Sequence, residues 1–260
     1  MKRLPVVLML LCGTGSFAGS APAQVLKLSP GQNIGGKSQT YHFHDGSVLI
    51  NTLFYQSKAS GVSVGRSYVN GPLMPRETAN YTDMFMVARG SGTLIESSGK
   101  AHQLVSGDFV LLPRGLTFEL RDAKHYVHYF ASFERQKGAT FGGPIALQLL
   151  RPERFCRSKA VENAGGRHTY YQGHGGVIIS AYHYPMRIQD RAALRTPDSE
   201  LMFVVAGSGA IQESGGAKIS LAPGAALLIP KGAAVILNAT NLCTLSVRFD
   251  RSDTSDGGSR

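Results

Sequence analysis

No stretch of this 260-residue chain is apolar for long enough to cross a bilayer, which takes about 20 residues; the first such run, Leu4 to Leu11, is far too short. Stable membrane insertion of the mature chain by a helix is therefore not expected. Cysteine is scarce, three in all, with no CxxC pair and no Cys-His spacing, so thiol-redox and zinc-finger chemistry have no motif to rest on. Acidic residues are few, 17 against 27 Lys and Arg. The basic residues are nevertheless scattered singly (Arg66, Arg76, Arg89, Lys100, Arg114, Arg121), and the densest run lies between Arg151 and Lys159. Such scatter reads as a solvated surface, or as a weak attraction for acidic ligands and envelope polyanions. It does not resemble a nucleic-acid reader.

The chain opens with Lys2 and Arg3, continues through the apolar Leu4 to Leu11, and reaches the small-residue site Ala21-Pro22-Ala23. That order is the pattern of a secretory signal over residues 1–23. Cys12 offers the alternative of lipid attachment, although the bulky Leu11 before it suits that poorly. Cleavage after Ala23 leaves 25 Lys and Arg against 17 Asp and Glu, a net charge of +8. A periplasmic or secreted location is expected. In such an oxidising compartment Cys156 and Cys243 would pair if the fold brought their Cα atoms within roughly 7 Å, which spacing alone does not decide. The tail, residues 251–260, has no apolar anchor and is expected to be disordered.

What the chain does contain is itself, twice. Asp83, Gly90, Gly92, Gly99, Gly107, Pro113 and Gly115 recur as Glu200, Gly207, Gly209, Gly216, Gly224, Pro230 and Gly232, at a constant offset of 117 residues. Around these anchors, MFMVARGSGTLIES answers LMFVVAGSGAIQES and GDFVLLPRG answers GAALLIPKG. These are strand-like apolar runs punctuated by glycine turns, so the repeated unit is all-β. The expected organisation is a first unit over residues 24–134, a linker over 135–175 with one helix-like run from Pro144 to Arg151, and a second unit over 176–250. Short antiparallel strands in this number usually close into a barrel or a double-sheet jelly roll, which shortens exposed edges.

The repeated anchors carry a family resemblance. A carboxylate, six residues and a glycine (Asp83 to Gly90, Glu200 to Gly207), followed by Gly, five residues and Pro-x-Gly (Gly107 to Gly115, Gly224 to Gly232), resemble the two motifs of the cupins, here in a two-domain form. The stretch TDMFMVARGSGTLIES, SGDFVLLPRG and KHYVHYF is similar to the branch that includes ureidoglycine aminohydrolase and ethanolamine-utilisation cupins. The resemblance implies two tandem jelly-roll barrels. It would also imply a divalent metal such as manganese, held in each barrel by three histidines and a glutamate. The places of the paired histidines hold Arg76 to Ala79 and Ala193 to Thr196, and the third place holds Phe118 and Val235, so all six are missing. A single carboxylate cannot replace three imidazole donors, and no metal cofactor is expected. The weak remaining candidates are His42 and His44, two apart on a strand and next to Asp45.

If Asp83 and Glu200 point inward as the resemblance implies, alternation along a strand puts Phe85 and Val87 inside the first barrel and Met202 and Val204 inside the second. Glu200, in a nearly apolar interior, should be protonated, bonded to a neighbour such as Arg195, or exposed at the mouth. The first barrel is better provided. Glu77, Tyr81 and Asp83, with Arg66 or Tyr68 near the opening, stand beside the apolar walls of Phe85 and Phe118, the mixture found in small-molecule sites. The expected activity is binding of a small molecule or carbohydrate by the N-terminal barrel. Two readings stand beside it: filled barrels acting through their surfaces, and an enzyme related to ureidoglycine aminohydrolase or sugar isomerases that uses Glu77 and Asp83 as an acid/base pair. Pairing into a homodimer is left open.

Overall fold

The computed structural model describes residues 25–28, 36–57, 60–133, 146–162, 165–173, 176–184, 188–189, 194–213 and 216–250. The expected signal segment and C-terminal tail lie outside them. The first sheet is built from β2 (Lys37–His42), β3 (Val48–Gln56), β4 (Ser63–Leu73), β5 (Glu77–Thr78), β6 (Thr82–Glu96), β7 (Ala101–Val105), β8 (Phe109–Leu112), β9 (Thr117–Phe133) and β10 (Gln148–Leu150). The second takes β1 (Leu26–Leu28), β11 (Gly166–Gln172), β12 (Ile178–Tyr184), β13 (Ile188–Gln189), β14 (Leu194–Arg195), β15 (Ser199–Glu213), β16 (Lys218–Leu221), β17 (Ala226–Ile229) and β18 (Ala234–Phe249). Two short helices, α1 (Pro152–Cys156) and α2 (Lys159–Glu162), lie between the sheets in sequence.

The two sheets repeat one plan. The order β10-β8-β6-β9-β4-β3-β2 is matched by β1-β17-β15-β18-β12-β11, and all pairings are antiparallel. β6 pairs with β9 along its length but changes its other neighbour midway, from β8 before the bend to β7 after it. The change occurs at register shifts between Val87 and Thr93, and the equivalent shifts in β15 fall between Val204 and Ser208. Glycine is needed at both bends. Gly90 and Gly207 have φ of +77° and +81°, and an added Cβ would sit 2.3 Å from the Lys124 carbonyl oxygen and 2.0 Å from that of Asn241. Gly90 and Gly207 are therefore required at the two bends.

Strand alternation separates three cores. Phe85, Val87, Val110, Leu112 and Phe130 fill the first barrel, and Met202, Val204, Leu227 and Ile229 fill the second, as alternation implied. The opposite faces of the same strands do not meet water. Met84, Met86, Phe109, Leu111 and Phe133 pack against Leu201, Phe203, Leu228, Leu245 and Phe249 in one core shared by both barrels, with the rings of Phe109 and Phe203 5.8 Å apart. Burial on both faces explains why these strands read as continuous apolar runs. Asp250 adds a polar tie across the same junction, accepting hydrogen bonds from Tyr55, Ser57 and Ser60 of the first unit and from Ser199 of the second.

The structure redraws the expected unit limits. β1 lies near the start of the chain yet pairs with β17 of the second sheet, and β10 follows the first repeat yet pairs with β8 of the first sheet. Each covers an edge that would otherwise expose unpaired backbone. The stretch read as a linker holds β10, both helices and β11, and its helix begins at Pro152, after the run Pro144 to Arg151 that suggested one. The physical reason is local. Proline suits the first helical turn, where its missing N–H costs nothing, whereas Gln148 to Leu150 finds backbone partners on β8. Cys156 of α1 and Cys243 of β18 form a disulfide, with Cα atoms 6.0 Å apart. This fixes the helical crossing to the second barrel.

Candidate functional site in the N-terminal barrel

A cavity of about 110 Å³ opens inside the first barrel, walled by β3, β4, β6 and β9 with β5 at its rim. Of the sequence candidates, Glu77, Asp83, Phe85 and Phe118 line it together. Pairing of β5 with β9 sets Glu77 directly opposite Phe118, so two places that hold metal ligands in cupins do meet, but as an acid and a phenyl ring. Tyr81 is buried elsewhere and does not line the cavity. Arg66 and Tyr68 alternate along β4 with the lining residues Ser67 and Val69, and so point to the other face of the sheet. Arg66 lies over the Phe54 ring, and the Tyr68 hydroxyl meets His125.

The remaining polar walls were not singled out from the sequence. β9 presents Tyr126, His128, Phe130 and Ser132 to the interior in strict alternation, while Ser67 donates to Asn51 across β4 and β3. The signal was the alternation of YVHYFAS opposite Phe85, which puts His128 on the same face as Phe130. The His128 ring lies among aromatic rings, with centroids 4.7 Å from Phe85, 5.3 Å from Tyr126 and 6.1 Å from Phe130. Its Nδ1 and the Oδ1 of Asp83 are shut off from outer solvent and have no hydrogen-bond partner among the described residues. Orphaned buried polar atoms are costly and rare in a structure.

Burial dominates the electrostatics. Asp83 is pushed up to about 7 by loss of hydration, only partly opposed by a hydrogen bond from Ser132. Glu77 is also raised to about 7, first by burial and then by the neighbouring Asp83 charge. Burial drives His128 down to about 3, so its imidazole is neutral and offers no countercharge. No lysine or arginine lines the cavity among the described residues.

The second barrel has solved the same problem internally. Glu200 accepts a hydrogen bond from Ser246 at 2.5 Å and faces the Arg248 guanidinium at 3.4 Å, which in turn lies 4.7 Å over the Tyr182 ring. The expected partner, Arg195, is replaced in this role by Arg248, which pairs directly with Glu200 across β15 and β18. The residue at the matching register in the first barrel, opposite Asp83, is Ser132.

The cavity offers two carboxyl groups, one neutral imidazole and the oxygens of Asn51, Ser67, Tyr126 and Ser132, with Ala79 and Phe118 contributing no donor at the places where the cupin motifs carry histidine. Among the described residues no three His, Cys, Asp or Glu side chains converge as ligands, so these residues do not fit the three-histidine metal centre of the cupins. His42 and His44 do not form a strand pair. β2 ends at His42, His44 falls in the following turn, both are exposed, and Asp45 is engaged by the backbone N–H and hydroxyl of Ser47.

The chain matches no family model and no curated protein. Solved structures do resemble it. A protein of unknown function from Pseudomonas syringae pv. tomato superposes with a TM-score of 0.63 at 14% identity, over 87% of this chain and 99% of that one. A cupin 2 conserved barrel domain protein from Leptotrichia buccalis gives 0.59 at 11% identity, over 78% and 89%. Salicylate 1,2-dioxygenase from Pseudaminobacter salicylatoxidans gives 0.53 at 14% identity, over 76% and 75%. At such identities the likeness concerns architecture alone, and the fold is that of two tandem cupin barrels.

Proposed function

We propose that the N-terminal barrel binds a small organic molecule in the cavity bounded by Glu77, Asp83, Phe118 and His128, and that the C-terminal barrel supports it structurally. The observation that carries this reading is the contrast between duplicates. Glu200 accepts a hydrogen bond from Ser246 and lies within ion-pair distance of Arg248, although Arg248 Nε itself makes no hydrogen bond among the described residues. Asp83 and His128, by contrast, line a cavity to which no described lysine or arginine contributes, and their Oδ1 and Nδ1 are buried with no partner among the described residues. Apolar walls with a few converging polar groups are the usual make-up of a ligand pocket. Export of the protein is part of the proposal, supported by the signal-like opening and by the disulfide, which persists in oxidising compartments.

Thermal denaturation against a panel of sugars, organic acids and amines tests the pocket. Ligands that raise the melting temperature of the native protein and of Ser246→Ala, but not of the Glu77→Ala/Asp83→Ala double variant, would support it. Absence of any ligand shift, or shifts that survive the double variant, would refute it.

A second reading is favoured by one observation: two carboxyl groups held near neutrality share a cavity with a neutral imidazole. Groups poised in this way can exchange protons with a bound molecule, consistent with the narrower resemblance to ureidoglycine aminohydrolase. Turnover that is lost in Asp83→Asn while ligand affinity is retained would separate this reading from simple binding.

A further inference from the structure

The two barrels place a carboxylate at the same point of the same strand and treat it differently. In the second, β18 sets Arg248 opposite Glu200, and the guanidinium lies against the carboxylate and over the Tyr182 ring. In the first, β9 sets Ser132 opposite Asp83. Ser132 offers Asp83 a hydrogen bond but no charge, Asp83 Oδ1 is left without a partner among the described residues, and both residues line the cavity. A second acid, Glu77, faces the same space, and the rings of Phe85, Phe118, Tyr126 and Phe130 surround it. A buried carboxylate needs a partner charge, and aromatic faces attract cations.

We infer that the N-terminal cavity takes a small organic cation, an amidinium or primary ammonium ion, whose charged group stands where the second barrel carries the Arg248 guanidinium. This assignment rests on the pocket reading above and specifies its ligand class. The polar groups that line the cavity with Asp83 are Glu77 from β5, Asn51 from β3, Ser67 from β4, and Tyr126, His128 and Ser132 from β9; none of them supplies a positive charge at neutral pH. An anion would meet two acids and no base. A neutral molecule would leave the carboxyl groups protonated and gain only hydrogen bonds.

The test compares methylguanidinium and propylammonium with methylurea, the neutral counterpart of the former in shape, and with propionate. Binding is measured by calorimetry at pH 6 and pH 8, in buffers of differing ionisation heat. The cation needs Asp83 ionised, and that fraction rises from roughly one tenth to nine tenths across this range. Affinity of at least one cation should therefore increase about tenfold from pH 6 to pH 8, with proton release on binding at pH 6. Asp83→Asn should weaken both effects and Glu77→Gln/Asp83→Asn should abolish them, since Glu77 shares the cavity and is also raised to about 7. Ser132→Arg, which supplies the cation internally, should abolish binding while the protein stays folded by circular dichroism. The inference is overturned if methylurea or propionate binds as tightly as the cations, or if cation affinity is flat or falls with pH; the pocket reading survives either result. Failure of all four probes also overturns it, and the pocket reading falls with it only if the wider panel fails too.

Discussion

Ionisation of Asp83 should make the protein less stable as the pH rises from acid to neutral, the reverse of what a carboxylate in an ion pair does. Its folded value is raised to about 7 from an ordinary 3.8, with burial as the main cause. Between these values the unfolded chain has released a proton that the native state still holds. Stability is therefore fully present below about pH 4 and is lost progressively up to about pH 7, at a little over 1 kcal/mol per pH unit. From pH 5 to pH 7 the loss from Asp83 alone comes to roughly 2 kcal/mol. Asp83→Asn keeps the shape and cannot ionise, so its urea midpoint should fall less over this range than that of the native protein. All other titrating groups cancel in the comparison, apart from Glu77, whose own elevation partly depends on the Asp83 charge. Parallel pH profiles for the two proteins would show that Asp83 is either hydrated or internally paired, and would remove the electrostatic basis for the cavity.

His128 should act in the opposite direction. Its folded value is depressed to about 3, so it costs stability as the pH falls below 6.5, and His128→Phe should recover roughly 2 kcal/mol between pH 6 and pH 4 in the same urea assay. The Cys156–Cys243 disulfide closes a separation of 87 residues, and the Cys156→Ser/Cys243→Ser variant should lose about 4–5 kcal/mol on a chain-entropy basis, measured by chemical unfolding without reductant. Asp250 holds four hydroxyl donors from both units, and Asp250→Ala should cost roughly 2–3 kcal/mol and lower the melting temperature; an unchanged melting temperature would mean that the shared apolar core alone joins the barrels.

Particular residues show where sequence reasoning reached and where it stopped. Gly90 and Gly207 were legible as places where the chain must deviate, because their backbone and close contacts demand glycine. The hairpin turn expected at Gly90-Ser91-Gly92 is instead a bend within the continuous β6, and β15 bends likewise at Gly207. Phe85, Val87, Met202 and Val204 could be assigned inward because strand alternation propagates from one oriented residue. His128 obeyed the same alternation but gave no metal-ligand spacing, and only the closing of β9 over β6 brought it beside Phe85. Tyr81, Arg66 and Tyr68 lay near the right elements, yet each turned away from the cavity, since nearness in sequence does not fix which face a side chain takes.

The duplication, the all-β character of each unit and the absence of histidine from the places where the resembled motifs carry it were legible in the chain alone, because glycine conformations, strand periodicity and residue identity are local properties. The tertiary structure decided which barrel keeps an uncompensated acid. Arg248 and Ser132 lie far along the chain from Glu200 and Asp83, and only the register of β18 on β15 and of β9 on β6 reveals that one carboxylate has its cation and the other has a cavity.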